Sequence, residues 1–562
     1  MKQISQSYCK FKNETKDLNF EYEFHGARDY YHLIKNLVIN LKNNINDDPF
    51  QIAIKSVERN FGGRKGSILT FKKILSEIEY IEPSDNYNIE NAIISNLKDY
   101  QSRFLMVVSN LSLSQFLIGV FLEKLNLESK SIFFVGSHFE VDLKDEYYLA
   151  SIINKIQFPI EKGDIIIMNN LESIYPSLYD LFNQNYTYIG EKKMARIALG
   201  YSHDIKINVH SNCRIIILMD PEQISKQDPP FLNRFEKHIL SYEKILSKEK
   251  ISFSKKILTN LKELITSISN KEIKLNLSKQ LLNYNEDEIN GIIYKSNSNN
   301  LEEIKLEIFK KIVPTFSQDL IIFTNNSLFA SYYKNDHNKI LDIYNSTEHR
   351  NLKLFLKNIK NFKYVIYTFS HILDVPEIEI KNEKFGAINQ KSIYKKIISE
   401  ICGEKIIEKY IKNYYENDKF NLCIFQIYED NSIYLNHINH LYENYIKIQQ
   451  VKKIKPLILI IHLKREISDT INEDMFKNSY YISHLTSFEQ LFIDNLNGKD
   501  FLITELINLT NYDIYSNKKF FDIDNEFDKL IFPVFTTIFY EIQNPNEKIK
   551  IENYYEILTK KY

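Results

Sequence analysis

Hydrophobic positions first recur at helical spacing. Tyr30, Leu33, Ile34, Leu37, Val38 and Leu41 fall on one face and predict an amphipathic helix from Asp29 to about Lys42. Ile52 to Arg59 reads as a shorter helix halted by Phe61-Gly62-Gly63, and Ser67 to Ile81 as another that ends before Pro83. From Arg103 the texture changes. Phe104–Val108, Ser131–Val135, Gly163–Met168 and Arg214–Met219 are short apolar runs of the kind buried on both faces of a sheet. Helical stretches separate them: one running to about Leu125, one from Tyr147 to Lys155, and one from about Tyr175 to Asn185. Apolar strands alternating with helices predict an α/β fold with a parallel sheet and right-handed crossovers.

After Arg234 the pattern predicts helices again. Ile257, Leu258, Leu261, Leu264, Ile265 and Ile268 share one face, as do Leu301, Ile304, Ile308, Phe309 and Ile312, with a polar loop at Ser296–Asn300 between them. At Pro314 the strand–helix alternation restarts, with strands expected at Leu320–Thr324, Lys363–Phe369, Leu422–Ile427 and Pro456–His462. The plan is helices, an α/β unit, helices, then a second α/β unit. No close sequence repeat is visible, so any duplication is one of architecture.

Composition narrows the function. The 562 residues include 13 glycines, far fewer than usual, which counts against several glycine-built phosphate loops. Lys plus Arg (72) and Asp plus Glu (73) balance to a net charge of −1, which gives no bulk attraction to nucleic acid or an anionic membrane. Cys9, Cys213, Cys402 and Cys423 form no C-x-x-C pair, so no zinc ribbon or RING can be built from them, and they suit reduced cytosolic thiols. No apolar leader opens the chain and no uninterrupted apolar run approaches ~18 residues, so a cytoplasmic protein without a membrane span is expected.

Parallel α/β sheets bind ligands at the carboxyl ends of their strands. Phosphate there usually needs a glycine-rich loop and a lysine. No G-x-x-x-x-G-K-[ST] occurs. Ser109-Asn110-Leu111-Ser112 follows one candidate first strand and Asn325-Asn326-Ser327 another, neither with Gly or Lys. Gly62-Gly63-Arg64-Lys65-Gly66-Ser67 follows a helix and reads as its cap. Where an ATPase strand would end in a magnesium-binding Asp, Asn169 and Asn170 stand, followed by Glu172. His203, His210 and Cys213 lie close together without metal-ligand spacing, and no G-x-S-x-G elbow appears.

One segment is specific. The strand Arg214–Met219 leads through Asp220 to Pro229-Pro230-Phe231-Leu232-Asn233-Arg234-Phe235-Glu236-Lys237-His238. This resembles the end of an AAA+ large subdomain, and more narrowly the AAA+ core of mysterin-type giant E3 ubiquitin ligases. Ala27-Arg28-Asp29-Tyr30-Tyr31-His32, Arg59-Asn60-Phe61-Gly62-Gly63 and Asn170-Leu171-Glu172-Ser173-Ile174-Tyr175-Pro176 agree in order, so the likeness covers roughly 22–240 well and the remainder weakly. By this resemblance residues 1–82 are the helical small subdomain of a preceding unit, 95–240 a degenerate AAA+ (P-loop NTPase-like) large subdomain, 241–312 its small subdomain and 314–562 a second degenerate α/β unit.

The resemblance further implies a section without ATP binding of its own, with ATP and Mg²⁺ in neighbouring units of a larger parent, itself an ATP-dependent E3 ubiquitin ligase. Its partners would be those units and the ligase module of the same polypeptide. Arg234 matches the arginine that reaches into a neighbour's ATP site, and Arg59 the small-subdomain arginine that senses nucleotide in the preceding unit. The plainer alternative pairs Arg234 with Asp228 or Glu236. Two other functions stay open: a free-standing interaction scaffold of AAA+ descent, and a nuclease using Asp164, Glu172 and Asp220 at neighbouring strand ends.

Overall fold

The computed structural model describes residues 2–496 except 15–23, 44–47, 80–87, 146, 199–203, 269–281, 283–284, 318–319, 322–333, 350, 371–377, 400–401, 430–433, 464–486 and 494–495. It opens with four helices: α1 (Lys2–Glu14), α2 (Ala27–Asn43), α3 (Pro49–Asn60) and α4 (Ser67–Glu79). Asp48 caps α3 by accepting from the Phe50 amide, and Pro49 occupies the first turn, where its missing N–H costs nothing. Ile4, Phe11, Leu33, Leu37, Val57, Phe61 and Phe71 form the core of this helical unit.

The first α/β unit follows: α5 (Ile89–Lys98), β1 (Phe104–Val108), α6 (Leu111–Lys124), β2 (Ser131–Val135), α7 (Tyr148–Lys162), β3 (Ile165–Asn169), β4 (Thr187–Ile189), β5 (Lys192–Ala198), β6 (Asp204–Asn208), β7 (Arg214–Met219) and β8 (Phe235–Ile239). Five strands make a parallel sheet in the order β2-β3-β7-β1-β8. The apolar runs are buried on both faces, and their alternation divides them between two cores. Phe104, Met106, Ile166, Met168, Ile215 and Ile217 pack with Ile152, Ile156 and Ile160 of α7. Leu105, Val107, Ile165, Ile167, Ile216 and Leu218 pack with α5 and α6.

Helices α8 (Lys248–Ile268), α9 (Glu286–Lys295) and α10 (Leu301–Ile312) come next. The second unit then comprises α11 (Lys334–Ser346), α12 (Leu352–Asn358), β9 (Lys363–Thr368), β10 (Glu379–Asn382), β11 (Gly386–Asn389), β12 (Ile393–Ile398), α13 (Glu404–Glu416), β13 (Leu422–Tyr428), α14 (Leu435–Ile448), β14 (Leu457–His462) and β15 (Glu489–Phe492). Its parallel sheet runs β12-β13-β14-β9-β15. Setting aside the inserted antiparallel strands β4–β6 and β10–β11, both units place their first strand fourth, their second at one edge and their last at the other. The two units therefore share one strand order.

Several expectations give way. Phe235–Ile239 is a strand beside β1, not the start of a helical region, because Glu236, Lys237 and His238 are buried through ion pairs and so break the apolar pattern. Residues 172–185 are 3-10 turns at Glu172–Leu178 and one α-turn at Tyr179–Phe182 rather than one helix, with Pro176 inside the 3-10 stretch. Leu320 and Ile321 are helical, not extended. Ser317 Oγ accepts from the Leu320 amide and caps that turn. Residues 322–324 of that expected strand lie outside the described residues, and the first strand of the second sheet is β9.

Candidate functional site

At the carboxyl edge of the first sheet, β1 reaches α6 through Ser109 and Asn110 alone. Two residues are too few to wrap a phosphate chain. The Ser109 amide donates to the Met219 carbonyl at 3.0 Å, and Asn110 Nδ2 lies 3.5 Å from the Asp287 carboxylate. Asp287 stands in the first turn of α9 between Glu286 and Glu288, and burial, then Glu286 and Glu243, raise its carboxyl above the usual range. Negative charge therefore sits where a phosphate loop would bring amides and a lysine. At the next strand end Asn170 takes a left-handed conformation (φ 54°).

Asp220, past β7, caps the turn that follows by accepting from the Glu222 amide. Asp164 precedes β3 at the opposite end of the parallel sheet, roughly 17 Å away for five residues. The three carboxylates considered for a nuclease therefore do not converge. No group of three His, Cys, Asp or Glu side chains suited to a metal occurs among the described residues, which exclude His203.

The quoted sequence motifs instead meet where the first helical unit abuts β8. Asp29 of α2 is fully buried and accepts from Arg103 Nη1 at 2.7 Å and Lys237 Nζ at 3.1 Å. Arg103 also donates to Asn60 Oδ1 (3.0 Å) and to the Asn233 carbonyl (3.1 Å). Glu236 takes Arg59 in a two-pronged pair (3.1 and 2.9 Å), Asn96 Nδ2 at 2.8 Å and His238 Nε2 at 3.1 Å. Behind them Arg214, 1% exposed, donates to Ser102, Asn96 and the Arg103 carbonyl.

Burial alone would raise the Asp29 and Glu236 carboxyls. Lys237 and Arg103 bring Asp29 down, and Arg59 and His238 bring Glu236 down, so both are held below the usual range. Burial, with Arg103 adding to it, pushes the Lys237 ammonium down to about 8 against the pull of Asp29.

The backbone closes this junction. At Gly62 a Cβ would sit 2.2 Å from the Lys237 carbonyl oxygen, a backbone atom that cannot swing aside. Gly62→Ala is expected to force α3 off β8 and cost about 1–3 kcal/mol, the usual penalty for overpacking. A thermal melt that matches the parent chain would refute the tight contact.

The two singled-out arginines thus have different surroundings. All three Arg59 nitrogens are engaged, with Glu236 and with Asp99 (Nη1 to Oδ2, 3.3 Å). Arg234 pairs with neither Asp228 nor Glu236. Asp228 instead caps the turn at Phe231, and Glu236 is taken by Arg59. Arg234 lies 3.9 Å over the Tyr179 ring, its Nε donates to Asn183 Oδ1 at 2.8 Å, and its Nη1 has no acceptor. Sequence reading passed over Asp29, Arg103 and Lys237. The available signal was their place inside, or one residue before, segments otherwise reading as buried.

The second unit grips the other edge of the sheet. From α14, Asn444 Nδ2 and Lys447 Nζ donate to the carbonyls of Phe133 and Ser131 on edge strand β2, at 2.5 and 2.9 Å. Glu404, 2% exposed, accepts from Tyr148 (2.8 Å) and Lys155 (3.0 Å) and contacts His437 (2.9 Å). Its amide donates to Asp142. A cleft of about 460 Å³ between these elements, lined by Lys155, Glu408, Lys409 and His440 among others, carries both signs of charge.

A parallel five-stranded sheet whose first strand is flanked by the fourth and fifth, with helical pieces before and after, defines a unit of the AAA-like α/β class. Residues 94–246 match the family model described as RNF213 AAA domain, so this stretch is similar to an RNF213-type AAA+ section. The chain is 34% identical to the E3 ubiquitin-protein ligase RNF213 of Mus musculus over 238 residues, 40% of this chain and 4% of that protein. It is 33% identical to RNF213 of Homo sapiens over 243 residues, again 40% and 4% of the two chains. It is 29% identical to rnf213-beta of Danio rerio over 240 residues, 41% and 4%. The chain thus spans about 4% of the length of these relatives. Among the described residues no helix is long and apolar enough to cross a membrane.

Proposed function

We propose that this chain is a non-catalytic AAA+ core section of an RNF213-like E3 ubiquitin ligase. It completes the ATPase ring, braces the ligase module and presents Arg234 to the ATP site of a neighbouring unit. Its partners are the adjoining AAA+ units and the ligase module of one polypeptide, and ATP and Mg²⁺ belong to those units. The observation that carries this reading is the two-residue Ser109-Asn110 connection with Asp287 beside it, set in an RNF213-type section. A half-buried carboxylate repels the phosphates that such an edge would otherwise cradle. Bracing is supported by the buried ion pairs on one side of the sheet and the capped β2 edge on the other. The engagement of all Arg59 nitrogens favours a fixed junction over nucleotide sensing by that residue.

The test is ATP turnover and adenosine-selective binding by the purified chain, neither of which is expected. Hydrolysis above background would overturn the non-catalytic reading. In the full-length parent, Arg234→Ala is expected to lower turnover at the neighbouring site by on the order of 10³-fold, as when an arginine finger is removed. Unchanged turnover removes that role.

A further inference from the structure

Arg28 stands beside Arg234. Arg28 Nη1 donates to Asn183 Oδ1 at 2.6 Å, the same oxygen that takes Arg234 Nε at 2.8 Å. Two guanidiniums therefore share one neutral acceptor, and among the described residues neither pairs with a carboxylate. Asp29, next in sequence to Arg28, is committed to Arg103 and Lys237. Asp228 is held by the Phe231 amide and the Tyr179 hydroxyl. Arg28 also occupies the first turn of the 17-residue helix α2, where the helix dipole disfavours a cation and favours an anion. Partial desolvation, then the charges of Arg234 and Arg103, lower the proton affinity of Arg28, with Asp29 opposing them.

We infer that Arg28 and Arg234 form a two-arginine clamp for a phosphate oxyanion at the mouth of the α2 N-terminus, with Asn183 holding the forks apart until the anion arrives. Two guanidinium forks offer paired donors and a charge that matches a phosphate dianion better than a single carboxylate. Tyr179 holds the plane of Arg234 by stacking. The clamp itself stands on this geometry. That the phosphate comes from a nucleotide in the neighbouring unit rests on the function proposed above.

The probe is inorganic pyrophosphate added to the purified full chain at constant ionic strength, read by thermal shift and calorimetry. A saturable rise in melting temperature is expected, since a ligand bound by the native state stabilises it by mass action. Arg28 is exposed, so Arg28→Ala should fold. It should weaken pyrophosphate binding by about tenfold or more, with Arg28→Lys in between. Absence of a shift in the parent chain, or the same shift in Arg28→Ala, overturns the clamp. ATP should bind this chain no better than pyrophosphate, and tighter ATP binding would overturn a site for phosphate alone. Turnover by the full-length parent separates the sources. If Arg28→Ala lowers both pyrophosphate binding and turnover, the anion is the neighbour's nucleotide. If binding falls while turnover holds for both Arg28→Ala and Arg234→Ala, the clamp takes free phosphate and the finger reading fails by itself.

Discussion

Replacing Asp29 by alanine is expected to destabilise the chain by about 3–5 kcal/mol, the cost of removing one partner from a buried ion pair. The large value follows from what is left behind. Arg103 is 3% exposed and Lys237 1%, so two cations would face each other without the carboxylate that separates them. Their remaining partners are neutral: Asn60, the Asn233 carbonyl and the Leu232 carbonyl. A second substitution, Lys237→Met, removes one stranded charge and leaves a stem of similar shape. The double variant should therefore lose less than the sum of the two single losses, by about 0.5–3 kcal/mol, as expected for groups in contact. Thermal and urea unfolding measure both quantities. Strict additivity, or an Asp29→Ala loss below about 1 kcal/mol, would mean that water enters the junction and solvates it.

The second large effect is expected at Glu404, where the two α/β units meet. Glu404→Ala should cost about 1–3 kcal/mol, since Tyr148 loses a buried acceptor and Lys155 is left with Glu408 alone. Hydrogen exchange should quicken at the β2 amides as α14 loosens from that edge. The same carboxylate predicts an acid response. Burial alone would raise its proton affinity, but His437, Lys155 and Tyr148 outweigh burial and hold it down at about 2. A carboxyl whose folded value is depressed adds stability that is complete above its unfolded value of ~4.3. That stability is lost as pH falls toward about 2. Glu404→Ala should therefore flatten the acid limb of the stability curve between these values. An unaltered acid limb would show that Glu404 is not held down by these partners.

What the sequence disclosed and what it hid divide along physical lines. Phe104–Val108, Ser131–Val135 and Arg214–Met219 are strands with the anticipated bounds, because an uninterrupted apolar run bounded by polar residues has few other places to go. Strand β8 escaped because its middle residues are charged, and their burial depends on partners far away in sequence. Arg59 and Glu236 are 177 positions apart. Strands β4–β6 were missed for a different reason: many of their side chains face solvent, so no apolar run marks them. Arg234 and Arg59 could be picked from motifs, but a motif does not say where a guanidinium points. Asn183, which both Arg28 and Arg234 touch, carries no signal of its own in the sequence.

The capped edge of β2 has a consequence for the order of synthesis. Phe133 and the Asn444 side chain that covers its carbonyl are separated by 311 positions. At ~5–20 residues per second a ribosome needs roughly 15–60 s to cross that distance. From the synthesis of β8 onward, which is the later two-thirds of that interval, the nascent first sheet has its row of edge carbonyls and amides open to any extended peptide nearby. A chain built this way depends on a holding factor, or on slow folding of its first half, until its own later residues arrive to close the edge.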